Sequence, residues 1–76
     1  MKNALEFERK LMLALREERQ RQGISHQTLA DKALMSKSMI IFAETGRRHP
    51  TLLTIYRLAE ALDLSMVTLV ERAEQP

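Results

Sequence analysis

Cysteine is absent from this 76-residue chain. That excludes disulfides and thiolate metal sites, and it fits a reducing compartment such as the cytoplasm. Glycine and proline occur twice each, and Leu, Ala, Glu and Arg are abundant, a composition that favours helices. No segment alternates with period two for long enough to argue for a strand. No apolar run approaches the length of a membrane span or a signal peptide, so no membrane partner is expected. There is no low-complexity segment and no internal repeat. Two histidines without neighbouring ligands make no metal site. With no Gly-rich phosphate loop and no nucleophile–base pair, the chain is not expected to be an enzyme or to carry a cofactor. Net charge is small, +2 with a sequence pI of about 9.4; it permits nucleic-acid binding without requiring it.

What is present is a set of helix-start signals. Ser25, Ser36, Thr51 and Ser65 each precede an apolar-periodic run and read as N-caps. Three have apolar residues at the hydrophobic-staple spacing: Ile24 with Leu29, Met35 with Ile40, and Leu64 with Leu69. The first helix starts near Asn3, with Glu6 placed to complete a capping-box-like pair, and ends at Gly23. The spacing predicts further helices over 26–33, 37–45, 52–62 and 66–73. In the fourth, Leu52, Ile55, Leu58, Ala59 and Leu62 fall on one face. Met12, Met35, Met39 and Met66 read as core or semi-core gap-fillers. The end at Pro76 is expected to fray. Short amphipathic helices with tight links can bury their stripes only against one another. The expected fold is therefore all-α, a compact five-helix bundle forming a single domain over 1–76.

The second and third helices are about two turns each, and only Leu34 and Met35 separate Ala33 from the Ser36 cap. So short a link forces a steep crossing, the geometry of a helix-turn-helix at about 25–44. The residues Leu15-Arg16, Arg19, Gly23-Ile24-Ser25, Leu29-Ala30, Ser36-Lys37-Ser38, Ile40, Glu44, Gly46-Arg47-Arg48, Pro50 and Leu58-Ala59-Glu60-Ala61-Leu62 resemble the Cro/C1-type helix-turn-helix family of phage repressors and Xre-like bacterial regulators. The likeness covers about residues 11–70.

The resemblance implies a lambda-repressor-like five-helix fold that binds a palindromic operator in double-stranded DNA as a homodimer, in the cytoplasm on the nucleoid. It implies that the third helix is the recognition helix, with Lys37 and Ser38 near base edges or phosphates. His26 and Gln27 would face phosphate at the second helix's N-terminus. Ser36, Arg47, Arg48 and Thr51 would meet the DNA backbone, and Arg19 would pair with Glu44 to tie the first and third helices.

Four departures stand out. Ile41 and Phe42 lean outward where the family has polar or basic residues. They could meet thymine methyl groups, be covered by another protein or subunit, or, for Phe42, be buried by a shifted packing angle. With Leu53 they form the candidate protein-contact surface of an alternative reading, an antitoxin- or antirepressor-like interaction module. Leu34 replaces the usual turn glycine, so the second helix is expected to end differently. His26 stands where glutamine is common; a neutral imidazole N–H or a protonated ring could serve phosphate there. Residues 3–10 extend the first helix, for packing or for dimerisation.

Overall fold

In the computed structural model, which describes residues 3–75, the chain forms five α-helices and no strands among the described residues: α1 (Ala4–Arg21), α2 (His26–Ala33), α3 (Lys37–Thr45), α4 (Leu52–Ala61) and α5 (Met66–Glu74). The expected fraying at Pro76 lies outside these residues. Each start is a capped start. Ser25, Ser36, Thr51 and Ser65 lie in extended backbone, and their hydroxyls accept the amide three residues on, at 3.0–3.2 Å. Such a cap is worth about 1 kcal/mol. Asn3 caps α1 the same way, through Oδ1 at 2.7 Å from the Glu6 amide. Glu6 does not close the box; its carboxylate turns instead to Lys10, 3.8 Å away.

The helix ends repeat as well. After α1, α2 and α4 the chain runs through one left-handed residue, one apolar residue and a serine cap: Gly23-Ile24-Ser25, Leu34-Met35-Ser36 and Asp63-Leu64-Ser65. In each, the apolar residue's amide reaches back five residues, Ile24 to Arg19, Met35 to Ala30 and Leu64 to Ala59, at 3.1, 2.9 and 2.8 Å. This is the Schellman closure, and the apolar residue doubles as the staple of the next helix. The staple partners Leu29, Ile40 and Leu69 are almost wholly buried, beside Leu15, Leu58 and Leu62. One device therefore ends a helix, starts the next and fills the core. Around that core α1 packs against α5, α3 and α4, and α2 packs against α3 and α4.

Three further expectations are corrected. Leu34 does not avoid the left-handed conformation; it adopts it (φ 58°, ψ 47°), at a cost of roughly 1–2 kcal/mol relative to glycine's freedom. Its side chain points to solvent, and the turn keeps the same shape as its glycine counterpart at 23. Leu52 is 72% exposed rather than inward. Half-buried Pro50 stands at staple spacing from buried Ile55, and the first turn of α4 is left outside. Met39 is also exposed, whereas Met12 is buried and Met35 and Met66 pack partly against the core.

Candidate nucleic-acid interface

The turn through Leu34 and Met35 delivers the chain to the Ser36 cap, and α3 leaves from there with Ile40 and Ala43 buried. Helical spacing then turns 37, 38, 41, 42 and 45 to the opposite side. Lys37, Ser38 and Thr45 are exposed, while Ile41 and Phe42 are half-buried. The outer row is thus polar and cationic at its start and apolar, but partly covered, further along.

The inner side of α3 is tied down by charge. Arg19 Nε lies 2.8 Å from Glu44 Oε2, and its Nη2 lies 3.1 Å from Oε1, a two-pronged pair between α1 and α3. Its Nη1 donates to the Ile24 carbonyl at 2.9 Å, gripping the turn before α2. His26 Nε2 donates to Glu44 Oε1 at 3.1 Å. One carboxylate therefore joins α1, α2 and α3. The His26 bond also alters what that residue can offer. With Nε2–H committed to Glu44, a neutral ring has no N–H left for a phosphate; a protonated ring has Nδ1–H.

The caps differ in one respect. Ser25, Thr51 and Ser65 each donate their hydroxyl proton to the threonine three residues on, Thr28, Thr54 and Thr68, at 3.0, 3.1 and 2.9 Å. Ser36 has Met39 at that position, and among the described residues its hydroxyl proton has no acceptor. Gln27 is exposed and holds Asp31 Oδ1 with one amide proton, at 2.9 Å, leaving its second.

After α3 the chain takes the same left-handed closure, Gly46 with the Arg47 amide 3.0 Å from the Phe42 carbonyl. Arg48, His49 and Pro50 then intervene before the Thr51 cap, giving the one long connection of the described chain. Arg47 and Arg48 are exposed, and among the described residues neither side chain meets a carboxylate. The Arg48 guanidinium lies over the Phe42 ring, 5.0 Å from its centroid. His49 Nδ1 meets Glu8 Oε1 of α1 at 2.7 Å, so the first turns of α1 brace this loop.

Sequence reasoning missed the Phe42–Arg48 and Glu8–His49 contacts, which join residues without a local spacing rule. It also missed Glu18. That carboxylate is buried and is held by Arg21, by Gln22 at 2.7 Å and by Arg72 of α5 at 2.8 Å. Hydrogen bonds from Arg21, Arg72 and Gln22 hold its pKa far below the usual carboxylate range, against the opposing effect of burial. A signal existed: Leu11, Ala14 and Leu15 continue at helical spacing onto Glu18.

A sequence model of the family described as Helix-turn-helix matches residues 15–69. The chain belongs to the Cro/C1-type helix-turn-helix family of DNA-binding regulators. It is 33% identical over 57 residues, 75% of this chain and 74% of the relative, to an uncharacterized HTH-type transcriptional regulator, y4dJ, of Sinorhizobium fredii. No solved structure matches the chain. Among the described residues no helix is long and apolar enough to cross a membrane.

Proposed function

We propose that this protein is a sequence-specific transcriptional regulator of the repressor kind, binding a palindromic operator as a homodimer with α3 in the major groove. The observation that carries the reading is the run from the Ser36 cap to the Arg47-Arg48 loop. It presents a hydroxyl proton, an exposed lysine and two arginines without carboxylate partners on one continuous segment. Ser36 and the first α3 amides serve one phosphate, Lys37 and Ser38 reach base edges, and Ile41 offers its uncovered part to a thymine methyl. Gln27, the free α2 amides and protonated His26 serve a second phosphate. Arg47 and Arg48 serve the backbone beyond α3. Thr51 stands beside them as a helix start, its hydroxyl proton shared with Thr54.

The homodimer is assigned to the apolar surface on α4 and α5. Leu52, Leu53 and Tyr56 are adjacent at helical spacing and exposed, and Tyr56 shares a groove with Met66 and Val67. The interaction-module reading loses ground: Ile41 and Phe42 are half-covered on α3, and exposed Leu53 is on α4. Acting at an operator places the protein in the cytoplasm on the nucleoid.

The test is selection of bound fragments from the source genome at two salt concentrations. Enriched palindromes with half-sites about one helical turn apart, and affinity falling steeply with salt, are expected. Binding that is absent, or indifferent to salt, would overturn the proposal.

A further inference from the structure

Phe42 is the apolar residue on the outer row of α3 that most needs an explanation. It follows Ser38 by four residues, so the two side chains are neighbours along that row. Its ring is half-buried, and the Arg48 guanidinium lies over it at 5.0 Å. An arginine held over a ring by its charge keeps N–H groups available for an anion. No carboxylate competes for those groups among the described residues. The backbone adds to the arrangement, because the Arg47 amide is hydrogen-bonded to the Phe42 carbonyl, 3.0 Å away. On the far side of Arg48, Glu8 holds His49 at 2.7 Å. An exposed arginine normally samples many rotamers; a ring beneath it and anchored chain on either side favour the one that lies over the ring.

We propose that Phe42 is a positioning residue. Its ring is the platform that holds Arg48 beside the Ser38 row, and Arg48 thereby meets a DNA phosphate already oriented. The inference rests on the DNA-binding reading above and deepens it. It assigns Phe42 to neither base reading nor a protein partner. An apolar residue on the recognition helix then serves affinity for any sequence, and the specificity of this face lies with Lys37, Ser38 and Ile41.

The test uses the full chain and a short mixed-sequence DNA duplex, with affinity measured across a salt series for wild type, Phe42→Leu, Phe42→Trp, Arg48→Ala and the Phe42→Leu/Arg48→Ala pair. Arg48→Ala should lower the salt slope by about one. Phe42→Leu should weaken binding roughly two- to fivefold, the scale of an exposed cation–π contact. Phe42→Trp should retain wild-type binding, and Phe42→Leu should add nothing once Arg48 is gone. In the free protein, the Arg48 side-chain protons should show ring-current shifts that Phe42→Leu abolishes. The wild-type shifts are read on the native chain alone, so they stand even if a variant folds poorly. Additive losses, a Phe42→Leu effect confined to duplexes with thymine at particular positions, or missing ring-current shifts would overturn the inference while leaving the DNA-binding reading intact. Wild type that fails to bind the duplex in a salt-dependent way would overturn both.

Discussion

Glu18 and Arg19 are adjacent on α1, both are buried, and they carry opposite charges. Glu18 serves the α4–α5 side: it collects Arg21 and Arg72, and Gln22 bridges it to the Leu62 carbonyl at 2.7 Å. Arg19 serves the DNA-facing side, holding Glu44, the Ile24 carbonyl and, through Glu44, His26. A lone buried charge would be costly in either place. The difference lies in the partners. The side chains of Arg21 and Arg72 are 70% and 41% exposed, so they reach in from water. The Glu44 side chain is 6% exposed, and its partner Arg19 is 10% exposed, so this pair is buried at both ends. Similar bonds therefore have unlike consequences when broken.

The largest effect expected is from Arg19→Ala. It strands Glu44 as a buried carboxylate with His26 alone, and should cost about 3–5 kcal/mol in urea unfolding, close to the whole stability of a chain this size. If the loss is no greater than for Glu18, the contrast between the two hubs fails. Glu18→Gln should cost about 1–2 kcal/mol, because both arginines can resolvate. It should leave duplex affinity unchanged, since the α1–α2–α3 tie is intact.

Acid sharpens the same comparison. The Glu18 pKa is depressed in the folded state by its arginine and glutamine partners. Its contribution is thus fully present above the ordinary carboxylate value of 4.5 and is lost as pH falls below that value. Melting of wild type should therefore drop more steeply on acidification than melting of Glu18→Gln. Parallel pH profiles would mean that the α5 hub contributes nothing. The smallest change is Leu34→Gly, which touches neither hub. It relieves a left-handed leucine whose side chain is 87% exposed, and should add about 1 kcal/mol. No gain would mean that the turn's strain is offset by contacts of the leucine itself.

The helix boundaries were legible because their causes are local. A serine, the amide three residues on and a flanking apolar pair all sit within one short window, so Ser25 with Ile24 and Leu29 announced α2 by spacing alone. The helix-turn-helix followed from two such windows placed close together. What was not legible depends on neighbours distant in sequence. Nothing near Phe42 says that Arg48 will fold back over it, and Glu18 meets an arginine 54 residues away. Leu34 was misread for a different reason. Its left-handed conformation is costly in isolation, but the Schellman bond from Met35 to Ala30 and the staple to Ile40 hold the turn in that shape.

The repeated left-handed, apolar, serine link also bears on how quickly the molecule can assemble. Each such link sets a helix end, a helix start and a core contact within about ten residues of chain, so little loop-closure entropy must be met before these contacts form. Helical proteins dominated by contacts of this range fold in microseconds to milliseconds. The slower, longer-range steps left to this chain are the docking of α5 through Arg72 onto Glu18 and the meeting of Glu8 with His49. The basic loop, braced by Glu8, takes its final shape once α1 is in place.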